Sequence, residues 1–128
     1  MSSQPESIET AIAAARAADE KQADDVVVLD VSEILAICDV FLICSARNQR
    51  LVAAVADEIE EQLWLGQDRR PIATEGRDDR HWVLLDYGDI VVHVFHEEDR
   101  AYYRLDRLYG DAPRLEWRLA VEVEAVAD

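Results

Sequence analysis

Along residues 47–65 (RNQRLVAAVADEIEEQLWL), Leu51, Val55, Ile59 and Leu63 recur at intervals of four. Val52 and Ala56 widen this stripe, and Asp57, Glu58, Glu60 and Glu61 lie mainly outside it. That is the pattern of an amphipathic helix. Ser45 or Asn48 is placed to cap its start, and Gly66 to end it. A second helix is expected over Ser3–Gln22. There Pro5 suits a first turn, Glu6 and Glu9 favour the positive end, and Ile8, Ile12 and Ala15 form one apolar face.

Other stretches carry strand patterns. VVVLDV (26–31) is one, and SEILAI connects it to DVFLICSA (39–46). The latter is apolar almost throughout, as a strand covered on both faces would be. RRPIATEG (69–76) reads as a short strand, and Pro71 assigns it to an edge. Trp82–Asp86 and Asp89–Phe95 form a predicted hairpin across a tight turn at Tyr87 and Gly88. A helix is predicted over Glu97–Gly110, with Tyr102, Leu105 and Tyr109 at helical spacing, and DAPR breaks it. The closing LEWRLAVEVEAVAD fits a strand, a helix or an irregular end. The alternation implies an α/β fold, a mixed β-sheet of about five strands flanked by helices. Residues 1–113 are read as one domain and residues 114–128 as a C-terminal tail.

Composition narrows the function. The 128 residues suit a single domain, and half are hydrophobic. The net charge is −15, from 28 acidic and 13 basic residues, and Lys21 is the single lysine. So negative a chain is poorly suited to direct contact with nucleic acid phosphates, which need a basic face. It suits a basic partner, or solubility alone. Cys38 and Cys44 lack CxxC spacing and lie in apolar surroundings, so buried thiols are expected. No stretch reads as a signal peptide or a membrane span, and a cytoplasmic location is expected.

The candidate chemistry concentrates in DYGDIVVHVFHEED (86–99). His93 alternates with Val91 and Phe95 on one strand face, the usual setting of a hydrogen-bonded core histidine. His93, His96 and Glu97 lack the spacing that would converge on a metal, and His81 sits apart before Trp82. No metal site or cofactor is expected. Asp86 and Asp89 flank the turn, where carboxylates shape turns more often than they transfer protons. No phosphate-binding glycine loop or nucleophile elbow is present. An enzyme using Asp86, Asp89 and His93 is the alternative reading. What stands out instead is a set of aromatics and carboxylates on the hairpin and the next helix: Trp82, Asp86, Tyr87, Glu97, Glu98 and Tyr103. Such a set suits either a face for a basic protein or a core with a charged rim.

These residues also carry a resemblance. DVFLICSARNQRLVAAVADEIEEQL, then EG, then WVLLDYGDIVVHVFHEEDRAYYRLDRLYGDAP resemble the ribosomal silencing factor family, also called Iojap. The match runs from about Asp30 to Pro113. The resemblance implies a nucleotidyltransferase-like fold without evident activity, and no Gly-Ser loop is readable where CSARNQR stands. It implies a translational repressor that binds the large ribosomal subunit through the fourteenth protein of the standard list. Bound there, it would block the small subunit and lower translation under nutrient limitation. Free members are similar to homodimers. The resemblance assigns contact roles to Trp82, Leu84, Asp86 and Tyr103, with Glu97 and Glu98 as a charged rim. Trp82, Leu84 and Asp86 share one strand face by alternation.

Overall fold

The computed structural model describes residues 4–118, the side chains of Tyr102 and Asp106 excepted. In chain order it contains α1 (Pro5–Glu20), β1 (Asp24–Asp30), β2 (Val40–Ala46), α2 (Gln49–Gln67), β3 (Ala73–Glu75), β4 (Trp82–Asp86), β5 (Ile90–His96), α3 (Glu97–Tyr103) and α4 (Leu105–Leu108). The strands form one five-stranded sheet in the order β1-β2-β5-β4-β3. The central pair, β2 and β5, is parallel, and the other pairs are antiparallel. The fold is α/β with a mixed sheet, as the patterning predicts.

All of β2 is buried, which fits its unbroken apolar run. On one face Leu42, Cys44, Val92 and Val94 pack with Val52, Val55, Ile59 and Leu63 of α2. Helix α1 joins this layer through alanines rather than isoleucines. Ala11, Ala14, Ala15 and Ala18 are fully buried, while Ile8 and Ile12 are only partly so. The expected Ile8–Ile12–Ala15 face is therefore rotated, because small side chains let α1 lie close to its neighbours. On the other face Phe41, Ile43 and Phe95 meet Leu29, Val31 and Cys38, with Leu105, Tyr109 and Ala112 completing the cluster. Cys38 and Cys44 are free and buried, as expected. Burial pushes their thiols up to about 11 and about 12.

Several element ends differ from the sequence reading, and three of the differences have a local structural cause. Asn48 does cap α2, accepting from Leu51 N–H at 2.8 Å, but Gly66 lies inside the last turn. The helix ends at Asp68, in the left-handed region at φ 54°, where the N–H groups of Asp68 and Arg69 close on the carbonyls of Trp64 and Leu63. The hairpin loop spans residues 87–89, one residue more than the predicted turn. The helix expected over Glu97–Gly110 is two, divided at Arg104 with φ 50°. That break turns Leu105 and Tyr109 onto the second core cluster. Beyond Pro113 the chain runs beside β1. Arg114 pairs with Leu29, Leu115 N–H donates to Val28 at 2.8 Å, and the Trp117 indole donates to Val26 at 3.1 Å. The rest of the tail, residues 119–128, lies outside the described residues.

Asp89 joins several of these parts. Its carboxylate accepts from the Arg69 guanidinium at 2.6 and 3.2 Å and from the Ser7 hydroxyl at 2.6 Å. Its carbonyl accepts from Asp39 N–H at 2.8 Å and Val40 N–H at 3.2 Å. One residue thus ties α1, the end of α2, the start of β2 and the hairpin loop. Burial alone would raise its carboxyl pKa. The hydrogen bonds from Arg69 and Ser7 outweigh that and hold it below the ordinary value.

Two outcomes follow. Gly76 has φ +81°, and a Cβ there would stand 1.9 Å from the Trp82 carbonyl oxygen. Gly76→Ala is expected to cost roughly 2–4 kcal/mol, from left-handed strain plus displaced backbone, measured by urea unfolding. Asp89→Asn is expected to cost about 1–2 kcal/mol at pH 7. Because the folded pKa is depressed, this stabilisation is present above the unfolded carboxylate value and fades as pH falls through the lower folded one. The stability gap between the Asp89→Asn variant and its parent should therefore close as the pH falls through that range, and a gap that stays constant with pH would contradict the ion-pair account.

Candidate functional site

The second sheet face is where the hairpin carries its distinctive side chains. Register pairs Trp82 with Phe95, Leu84 with His93 and Asp86 with Val91. Along β4 burial alternates, with Val83 and Leu85 buried and Trp82, Leu84 and Asp86 partly exposed. The alternation read from the sequence thus places these three on one face.

Trp82 is the centre of an aromatic group. Its ring stacks on Phe95 at 4.8 Å between centroids and meets Tyr103 of α3 at 4.9 Å. Its indole N–H donates to His93 Nδ1 at 3.1 Å. Phe95 is fully buried, Trp82 partly so, and Tyr103 is 48% exposed. Core and surface are therefore not alternatives here, because the platform rises from one to the other. Glu97 and Glu98 are exposed beside it in the first turn of α3, where acidic side chains complement the helix dipole. Tyr87 does not belong to this surface. It is 3% exposed in the opposite core layer, with Arg69 over its ring at 5.6 Å, and burial pushes its hydroxyl up to about 12.

The residues of the enzyme reading have structural partners. His93 is the hydrogen-bonded core histidine that its position predicts. Burial lowers its pKa to about 4, so at neutral pH it is the uncharged acceptor for Trp82. Phe41 packs against it edge-on at 4.7 Å. Asp86 Oδ1 accepts from Gly88 N–H at 2.8 Å and so shapes the turn. Asp89 is the ion-paired junction described above.

Sequence reasoning missed the end of this hairpin. His81 Nδ1 and Asp99 Oδ2 are 2.7 Å apart, and the hydrogen bond to Asp99 raises the His81 pKa. The His96 ring lies 5.2 Å from the His81 ring. His96 itself caps α3, its Nδ1 accepting from Glu98 N–H at 3.2 Å. Extending the observed pairing by one residue puts position 81 beside position 96, whereas the two-residue turn expected from the sequence would pair 81 with 94, so the longer loop hid this contact. Arg100 was missed too. It is 8% exposed and donates to the carbonyl of Asp25 at 2.6 Å and to Ser45 Oγ at 3.2 Å, fastening α3 to β1 and β2.

Comparison with known proteins agrees with the resemblance seen in the sequence. A family model described as "Ribosomal silencing factor during starvation" matches residues 4–127. The ribosomal silencing factor of Bacillus subtilis is 46% identical over 103 residues, covering 78% of this chain and 84% of that protein. The chloroplastic Iojap protein of Zea mays is 31% identical over 112 residues, covering 87% of this chain and 48% of the maize protein. Among solved structures, one from Bacillus halodurans superposes with a TM-score of 0.70 at 37% identity, covering 88% of this chain and 99% of its own. A Chromobacterium violaceum protein gives a TM-score of 0.76 at 28% identity, covering 80% and 85%. With the hairpin motif, the mixed sheet and these matches in agreement, the chain belongs to the ribosomal silencing factor family.

Proposed function

We propose that this chain represses translation by binding the large ribosomal subunit through its fourteenth-listed protein and sterically blocking association with the small subunit. The observation that carries this reading is the family membership. The partly exposed Trp82–Tyr103 platform with carboxylates at its edge supports the location of the contact. Trp82, Leu84, Asp86 and Tyr103 make the contact, and Glu97 and Glu98 form its rim. Aromatic rings supply contact area at little entropic cost, and surrounding charge steers the encounter.

The net charge of −15 fits the same picture. Ribosomal proteins are basic, so such a chain is drawn toward one and repelled by exposed ribosomal RNA. Direct nucleic acid contact is not part of the mechanism. No turnover is needed either, because a bound domain represses by occupying a surface that the other subunit requires. The free protein is a homodimer in the cytoplasm, and the repression operates when nutrients are limiting.

Co-sedimentation with isolated ribosomal subunits tests this. The chain should pellet with large subunits and not with small ones. The double variant Trp82→Ala, Asp86→Arg should bind at least tenfold more weakly, as expected when a central aromatic is removed and a charge reversed. Asp86 also shapes the hairpin turn, so Tyr103→Ala, which truncates a half-exposed ring, is measured alongside with circular dichroism as a fold check. Failure of the parent to bind large subunits at low salt would sink the reading. Undiminished binding by both variants would keep the repressor and remove the site.

A further inference from the structure

Three side chains converge at the open end of the β4–β5 hairpin, outside the rings of the aromatic platform. Ligand atoms of His81, His96 and Asp99 all lie within 4.8 Å of one another, the one such group among the described residues. They come from three local structures: the loop before β4, the last residue of β5 and the first turn of α3. The backbone holds them in register, because His96 N–H donates to the His81 carbonyl at 2.7 Å. His96 and Asp99 are three apart across a helix start, which sets them on one side of the first turn.

We propose that His81, His96 and Asp99 form a binding site for one divalent transition-metal ion of the zinc class. Two imidazoles and a carboxylate suit zinc, nickel, copper or iron, whereas magnesium and calcium favour all-oxygen sites. Around zinc, with bonds near 2.1 Å, tetrahedral ligand atoms stand about 3.4 Å apart. His81 Nδ1 and Asp99 Oδ2 are already closer than that, so the ion would replace the proton they share. Ligand atoms of the group are spread over as much as 4.8 Å, so His96 swings inward to complete the set. A neutral imidazole has one lone pair, so coordination through His96 exchanges its long 3.2 Å cap to Glu98 N–H for the metal. Water completes the coordination, since His81 remains 39% exposed at its side chain and Asp99 27%. With the ion on Nδ1 the ring proton of His81 sits on Nε2, so the Gln49 amide nitrogen, 3.5 Å away and donating to the Asp79 carbonyl, gives way there to water as the acceptor. The acidic surface raises the local concentration of cations without selecting among them, and the imidazoles supply the selection.

Titration calorimetry of the metal-free chain with zinc chloride, in excess magnesium, tests the site. One equivalent should bind. His81→Ala and Asp99→Asn should each weaken binding tenfold or more, while Glu20→Gln, an exposed carboxylate at the end of α1, leaves it unchanged. Cobalt substituted for zinc should show a tetrahedral visible spectrum without thiolate charge transfer, which separates this site from Cys38 and Cys44. Zinc should also raise the melting temperature of the parent and not of the two ligand variants. Absence of binding, binding abolished by magnesium, or equal affinity in all three variants would overturn the proposal.

Discussion

Two buried strands running parallel constrain everything else in this protein. β2 and β5 pair over Val40–Ala46 and Ile90–His96, and their side chains enter both core clusters. A parallel pair cannot be closed by a tight turn, so the chain must leave β2, cross the sheet through α2 and return. It does not return directly. β3 and β4 lie between, and the β4–β5 hairpin brings the chain back beside β2. The hairpin is therefore tethered along β5 by the full length of β2, and along β4 only by the three-residue edge strand β3. β5 supplies the buried floor of Phe95 and His93, and β4 supplies the partly exposed Trp82, Leu84 and Asp86.

That arrangement explains where the polar groups went. A turn that must dock against α1, α2 and β2 at once needs donors and acceptors for each, and Asp89 meets that need from a single position. His93 lies in a setting where a charged imidazole would be heavily penalised, and the Trp82 indole gives its neutral form a partner. Residues that resemble acid/base chemistry on paper are thereby committed to holding the hairpin in shape. The platform gains rigidity from the same contacts, since the Trp82 ring is fixed by stacking on one side and by a hydrogen bond at its edge.

The sheet and its long helices were legible in the sequence because their signals are periodic. The four-residue spacing in α2 and the unbroken apolar run of β2 each have few competing explanations. The alternation along Trp82–Asp86 likewise revealed the common face of the proposed contact residues. What escaped was aperiodic. The break at Arg104 needs a left-handed residue with neither glycine nor proline to announce it, and its cause is tertiary: Arg100 fixes α3 while Leu105 and Tyr109 turn inward. The buried face of α1 was misread because alanine gives little hydrophobic contrast, so the larger isoleucines drew the assignment although close packing favours the smaller side chain. Tyr87 was placed on the surface because a turn residue is ordinarily exposed, whereas here it reaches into the layer beneath Arg69.

The acidic character of the chain has a spatial counterpart in the hairpin and α3. Glu97, Glu98 and Asp99 occupy consecutive positions at the start of α3. Three adjacent carboxylates repel one another, and the helix N-terminus offsets part of that repulsion. His81 offsets more by pairing with Asp99, leaving Glu97 and Glu98 exposed. The first turn therefore divides its charge between an internal role and an outward one. The outward pair can steer a basic partner toward the aromatic platform, while the internal pair holds α3 against the hairpin that carries Trp82. Exchanging Asp99 with an uncharged surface residue elsewhere would preserve composition and net charge but leave His81 without its carboxylate. Position along one helical turn, more than the amount of negative charge, is what connects the acidity of this chain to the geometry of its candidate face.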